Sequence, residues 1–348
     1  MALPTVVARN PRYSALLAVV LLTVIFFVYP SHPHYGGLSM SLRGPRPLHE
    51  ILREEELRYN RVLKGREGMV KKWGPTADLV KSFPPKDDFY TLWDFFIPGF
   101  NCPHHVERIG TMGDGGKWVC GMDRIARQKD CVIYSFGVNG ESSFESELLE
   151  RAPGCQIWGY DFSVNSFGPE IEQVPSLKSR SHFFPYALSA KDNHAPGVHP
   201  PEYTLQTLME INGHDFIDIL KVDIEGAEFE SLISFIEASA ASTSSRTHPH
   251  SHPHGGRGGS GRNGGSLPVG QLQIEIHAWE GSPHGEFAPF KTWWERLEAA
   301  GLRPFWTEPN LVYVNLIRGV RPQLSEYSFM NIRGDHALVS DHHDFHKP

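Results

Sequence analysis

The chain is 348 residues long, 40% hydrophobic and 21% charged, which is enough apolar side chain for one large domain or two small ones. A formal net charge of -7 without a clustered Lys/Arg stripe argues against a dedicated nucleic-acid binder. Four cysteines without a C-x-x-C pair argue against a structural zinc site or a disulfide-built scaffold, and leave room for one bridge in an oxidising compartment.

The first element is the uncharged run YSALLAVVLLTVIFFVY at residues 13–29. A membrane span takes about 20 apolar residues, with roughly 17 as the lower limit. Arg9 and Arg12 precede the run, and no Lys or Arg occurs from Pro30 to Leu42. The positive-inside rule then puts residues 1–12 in the cytosol and the rest across the membrane, although Arg43 and Arg46 weaken the asymmetry. A cleaved signal peptide is the rival reading. VYPSHPHYGG has no A-x-A-like cleavage site and the run is long for a signal peptide, so we expect an uncleaved single-pass type II anchor. That orientation implies a domain in the lumen of the Golgi or endoplasmic reticulum. No N-x-[ST] sequon occurs to support it.

Residues 30–46 are rich in Pro, Gly, Ser and His and read as a stem. Pro47 to Arg66 places Leu48, Ile51, Leu52, Leu57 and Val62 among charges, the pattern of an amphipathic helix. The main domain is expected over 67–332, its aromatic-rich beginning (71–100) packing as an N-terminal extension, with a tail at 333–348. From Asp130 strands and helices alternate. CVIYSF (131–136), QIWGYDF (156–162), HFFPYAL (182–188), DFIDILKVD (215–223) and QLQIEIH (271–277) are the expected strands. Helices are expected over Ser142–Arg151, opened by a Ser142-x-x-Glu145 capping box, over Glu225–Ala238, and over Phe287–Ala300, stopped by Gly301. PFWTEPNLVYVNLI (304–317) reads as two strands around Pro309–Asn310. The fold class is therefore α/β: a doubly wound, mostly parallel sheet with a C-terminal antiparallel hairpin. Residues 239–266 are low-complexity, almost without apolar side chains, and read as a disordered insert that a short linker would replace. Its HPHSHPH run is either a transition-metal binder or a solvated loop. No carboxylate or Cys shares it, so no metal site is expected.

Five places carry residues suited to chemistry. Gly137 and Gly140 sit where SFGVNGESSFE (135–145) passes from strand to helix, a turn that serves either its own tightness or the approach of a ligand to helix N–H groups. The spacing is G-x-x-G, so the dinucleotide fingerprint is missing. Asp161 ends the next strand, where doubly wound folds hold ribose hydroxyls; an Asp capping through Ser163 is the equal alternative. LKVDIEGAEFE (220–230) places Asp223 at a third strand end, with Glu225 and Glu228 at the following helix start. GDGGKWVCG (113–121) offers Asp114 and Lys117 in a tight exposed loop, for the amino-acid end of a cofactor or for nothing beyond the turn. IEIHAWE (274–280) ends a strand with Glu275 and His277, the latter a candidate general base or a structural histidine.

In order and spacing, SFGVNGESSFE, GYDFS, LKVDIEGAE and QIEIHAW resemble the FkbM-like S-adenosylmethionine (SAM)-dependent methyltransferases. The similarity is greatest to a membrane-anchored group of methyltransferase-like proteins, through GDGGKWVC and EYSFMN (326–331). The resemblance covers roughly residues 100–332. It implies the seven-stranded SAM-binding Rossmann-like sheet, SAM as cofactor, contacts at Gly137, Asn139, Gly140, Asp161 and Asp223 with Glu225 nearby, and an unidentified hydroxyl acceptor. His277, Asp223 and Glu225 are then the groups available as a base. Two departures are the insert and the glycine-poor first turn. The rivals are a secretory-pathway glycosyltransferase, with Asp223-Ile224-Glu225 standing as a metal-binding D-x-D, and a tethered binding protein without catalysis. A luminal domain would allow a Cys102–Cys120 bridge beside the GDGGKWVC loop, while Cys131 and Cys155, at the starts of two buried strands, read as packing thiols.

Overall fold

A computed structural model describes Val19 and residues 46–84, 88–113, 115–245, 266–310 and 321–341. The chain divides into two units, Met1–Arg46 and Pro47–Pro348, and the elements named here belong to the second. Nearly all of the expected anchor, the stem up to residue 45, Asp114 and most of the insert lie outside the described residues. No helix among the described residues is long and apolar enough to cross a membrane.

The chain enters with α1 (Leu48–Trp73) and two short 3-10 turns, followed by a hairpin of β1 (Val106–Ile109) and β2 (Lys117–Cys120). Then come α2 (Met122–Ile125), β3 (Cys131–Phe136), α3 (Ser143–Arg151), β4 (Cys155–Tyr160), α4 (Pro169–Glu172), α5 (Pro175–Lys178) and β5 (Ser181–Phe184). After β6 (Ala187–Leu188), β7 (Glu202–Tyr203) and α6 (Leu205–Asn212), the second half runs through β8 (Ile217–Val222), α7 (Glu228–Ser245), β9 (Val269–His277), α8 (Phe287–Ala299), β10 (Leu302–Pro309) and β11 (Leu324–Asn331).

Seven strands form one sheet in the order β10-β11-β9-β8-β3-β4-β5. Only β11 runs against the rest. The chain winds outward from β3 to β5, then returns to β8 on the other side of β3. Such a reversal marks the place, beyond the carboxyl ends of β3 and β8, where open α/β sheets bind ligands.

Every residue of β8 and β9 is buried, as expected of central strands covered on both faces. On β9 the pleat sorts side chains by period two. Leu272, Ile274 and Ile276 join the large apolar core on one face. Gln271, Gln273, Glu275 and His277 fall on the other, and all are buried. The β1–β2 hairpin receives part of this polar row: Gln271 accepts from Cys120 N and donates to Cys120 O, while Gln273 donates to Trp118 O.

Several expectations change. The helix placed at 47–66 runs on to Trp73 and packs with the sheet, since Tyr59 and Arg66 reach Glu298 of α8. HFFPYAL is not one strand: Pro185 has no N–H to donate, so β5 stops at Phe184 and Ala187–Leu188 pairs with β7 instead. The C-terminal hairpin pairs β10 with β11, so its second described strand is 324–331; residues 311–320 lie outside the described set. Ser142 is an N-cap without a side-chain cap bond, and the capping box is absent. Its Oγ accepts from Gly168 N, and Glu145 is drawn inward to accept from Ser135 Oγ. Cys102 and Cys120 form the expected bridge. Cys131 and Cys155 are bridged as well, contrary to the packing-thiol reading, because parallel register sets them side by side at the starts of β3 and β4.

Candidate active site at the strand ends

The turn after β3 is built for close approach. Gly137 has φ +78°, and a Cβ there would lie 1.8 Å from the carbonyl oxygen of Asp223. Asp223 N donates in turn to Phe136 O at 3.1 Å, so the ends of β3 and β8 are locked together. Asn139 and Gly140 continue with positive φ, and open space surrounds Gly140 where a side chain would start. Lys221, buried, donates to Gly137 O and lies 3.8 Å from Glu145.

Asp161 follows β4 directly and is held by three hydrogen bonds. Its Oδ1 accepts from Ser163 N at 2.8 Å and Ser163 Oγ at 2.7 Å, which closes a local turn and caps no helix, because the next helix starts at Pro169 with Gly168 as its N-cap. Its Oδ2 accepts from Asn139 N at 2.8 Å and so fastens the glycine turn. A carboxylate oxygen accepts about two hydrogen bonds. Oδ2 therefore retains room for one more donor, while Oδ1 is filled.

Beyond β8 and β9 lies a second group. Asp223 follows β8 directly, and Glu225 follows at φ +56°, its side chain 77% exposed at the mouth. Glu228 opens α7 fully buried and accepts from both His277 N (2.9 Å) and His277 Nδ1 (3.1 Å). The other ring nitrogen, Nε2, is buried and has no hydrogen-bond partner. It faces Glu225 at 3.5 Å, Glu275 at 3.7 Å and Asp223 at 4.0 Å. Asn310 holds Glu275 Oε1 at 2.8 Å. Lys117 pairs with Glu326 of β11 and lies 3.9 Å from Asp223.

The group is rich in negative charge: Asp223, Glu225, Glu228, Glu275 and Glu326 meet Lys117 and His277. Burial, then the charges of Asp223 and Glu326, push the Glu275 carboxyl up to about 8. Burial works against a charged His277, yet its hydrogen bond and charge contact with Glu228, followed by Glu275 and Asp223, raise it to about 9. Burial likewise opposes the Lys117 ammonium, and Glu326 and Asp223 more than offset it.

The structure thus gathers Gly137, Asn139, Gly140, Asp161, Asp223, Glu225 and His277 at one end of the sheet. Lys117 differs from expectation. It is buried and ion-paired rather than exposed in a loop, so it compensates acidic neighbours instead of presenting a free amine. His277 is engaged through Nδ1 by Glu228, and the acids around it raise its affinity for a positive charge. Glu326 and Asn310 escaped the sequence reading because their partners lie far away in the chain. Glu275 carried a usable signal: two residues before His277 on one strand, it shares His277's face.

A family model described as a methyltransferase domain matches residues 80–258, just over half of the chain. The chain belongs to this methyltransferase family. Among curated proteins it is similar to the human probable methyltransferase-like protein 24, with 30% identity over 117 residues, which is 32% of this chain. That match spans 29% of the relative's length. Among solved structures it is similar to a Methanococcus jannaschii fibrillarin pre-rRNA processing protein (14% identity, TM-score 0.29, 59% of this chain and 68% of that one). A Burkholderia thailandensis O-methyltransferase family protein is also similar (12% identity, TM-score 0.27, 60% and 55%). Membership in the methyltransferase family displaces the glycosyltransferase reading of Asp223-Ile224-Glu225.

A methyltransferase domain implies a methyl-donor cofactor, and the strand-end residues fit one. The turn at Gly137–Gly140 leaves backbone accessible beside open space, and Asp161 Oδ2 has acceptor capacity left over.

Proposed function

We propose that the chain is a SAM-dependent O-methyltransferase, with the donor lying over the Gly137–Gly140 turn and an acceptor hydroxyl meeting it at the Asp223 rim. One observation carries the reading: the ends of β3, β4 and β8 bring a glycine turn, a partly engaged aspartate and a partly exposed aspartate to one crevice. Bound SAM supplies a methyl group on a positively charged sulfur, activated toward in-line attack. Asp161 Oδ2 takes one ribose hydroxyl while its other bonds hold the turn still. Phe162, 60% exposed beside Asp161, offers an apolar face to the adenine. Asp223 stands where an acceptor hydroxyl loses its proton, and its fixed distance from the turn, set by the Gly137 contact, provides the positioning on which such a transfer depends.

The membrane location belongs to the same proposal. The uncharged run at 13–29, the arginines before it and two disulfides are all consistent with an anchored domain in an oxidising lumen. Protection of the domain from added protease in sealed microsomes tests this orientation.

Calorimetry of the full chain in detergent with SAM and with S-adenosylhomocysteine tests the cofactor assignment. Both are expected to bind at one site, each displacing the other. Absence of binding by either would overturn it. Binding without transfer to any hydroxyl acceptor would favour a tethered binding protein.

A further inference from the structure

We infer that the strand-end cluster is a site for one divalent transition-metal cation, held by Asp223, Glu275 and His277. One ligand atom from each of these residues lies within 4.8 Å of the other two. Acidic neighbours alone would not make a site, and His277 supplies the second observation. Its side chain is completely buried, and its Nε2, aimed among carboxylates, has no hydrogen-bond partner.

The surrounding contacts prepare each ligand. Glu228 accepts from His277 Nδ1, which directs Nε2 at the cluster, where a cation would take the place of a proton on that nitrogen. A carboxylate behind a histidine is the usual outer support of a metal-bound imidazole. Asn310 occupies Glu275 Oε1 and leaves Oε2, 3.7 Å from Nε2, for the ion. Glu225 lies 3.5 Å from Nε2 at the open side, where it can complete the shell or give way to solvent.

The spacings suit a cation better than a hydrogen-bonded proton on Nε2. An N–H donor needs an acceptor within about 3.2 Å. The carboxylate oxygens facing Nε2 stand at 3.5, 3.7 and 4.0 Å, too far for a proton on Nε2 to be bonded. Ligand atoms around a cation with bonds of about 2.1 Å are separated by roughly 3–4 Å, which these spacings match. The charge balance agrees, because five carboxylates face Lys117 and His277 in a mostly buried place. The oxygen-and-imidazole set suits Mn²⁺, Fe²⁺ or Zn²⁺ better than Mg²⁺ or Ca²⁺, which favour oxygen alone.

This site deepens the proposed O-methylation and rests on it for its role. An acceptor hydroxyl on an open coordination position is acidified and passes its proton to Asp223 or Glu225 at the rim, and from there to water. The oxygen's electron pair forms the new O–C bond as the S–C bond breaks, and the bonding pair stays on sulfur.

The test uses the metal-depleted full chain without SAM. His248, His250, His252 and His254 are replaced by Ser so that the histidine-rich run does not report. Free Mn²⁺ is followed by electron paramagnetic resonance, and ZnCl₂ is titrated by calorimetry. One ion per chain is expected, with affinity at least 10-fold lower in Asp223→Asn and Glu275→Gln and about 10–100-fold lower in Glu228→Gln. Asp223 is partly exposed, so its variant remains informative if the buried ones do not fold. No stoichiometric uptake, or uptake that Asp223→Asn leaves unchanged, overturns the site. SAM calorimetry on the same samples separates the two claims: SAM binding without metal removes the site alone, and metal uptake without SAM binding removes the donor reading.

Discussion

Two buried carboxylates, Glu298 and Glu275, sit in the same molecule in opposite circumstances. Glu298 accepts from Arg66 Nη1 at 3.0 Å, Arg66 Nη2 at 2.7 Å, Trp294 Nε1 at 2.8 Å and the Tyr59 hydroxyl. Burial pushes its carboxyl up, but the Arg66 bonds and charge win and hold it below the ordinary value. Glu275 has one bond from Asn310 and other acids around it, and it is pushed the other way. The first is a closed polar network that ties α1 to α8. The second is an open one, left with an orphaned imidazole nitrogen. Perturbed ionisable groups of this kind cluster at functional sites.

The sharpest way to break the comparison is to cut one member from each network. Arg66→Ala leaves Glu298 charged and buried, and is expected to lower stability by about 3–5 kcal/mol in chemical denaturation. A loss under about 1 kcal/mol would mean that the closed network is not structural. Asp161 lies between the two extremes, with three protein bonds and spare capacity on one oxygen. Asp161→Ala is expected to weaken SAM by about 1.5–3 kcal/mol in calorimetry of protein shown to be folded. Unchanged affinity would place Asp161 wholly on the structural side.

Acid sharpens the contrast further. Because the folded pKa of Glu298 is depressed, its contribution is fully present above the unfolded value near 4.5 and is lost as pH falls through the lower folded value. Wild-type stability should therefore fall below about pH 4.5 more steeply than that of Glu298→Gln, measured by urea midpoints across the range. Parallel curves would assign the acid loss elsewhere. The smallest effect is expected at Glu275. Glu275→Gln keeps an acceptor for Asn310 and relieves the crowding of acids that pushes this carboxyl up, so metal-free stability should stay within about 1 kcal/mol of wild type or rise. A loss as large as that of Arg66→Ala would erase the distinction.

Central strands were legible because burial on both faces writes an apolar run into the sequence, as in CVIYSF and IDILKV. The glycine turn, Asp161 and Asp223 were legible because strand ends follow from strands. What stayed hidden depends on register or distant pairing. Glu326 reaches Lys117 only because β11 inserts antiparallel between β9 and β10. Cys131 meets Cys155 only because β3 and β4 align residue for residue. Arg66 looked like one more charge on an amphipathic helix until α8 supplied its partner. The apolar pattern of α1 predicted a helix, but nothing local says that its buried stripe includes an arginine.

The two disulfides share one pole of the sheet. Cys131 and Cys155 are the first residues of their strands, and the Cys120 backbone bonds to Gln271 near the start of β9. The candidate chemistry occupies the far pole, where no disulfide lies among the described residues. Cys131–Cys155 thus pins strand starts far from the crevice, whereas Cys102–Cys120 holds the end of the short strand whose other end carries Lys117 to the acidic cluster, so a reducing milieu would act on the strand starts directly and on the crevice through β2 alone.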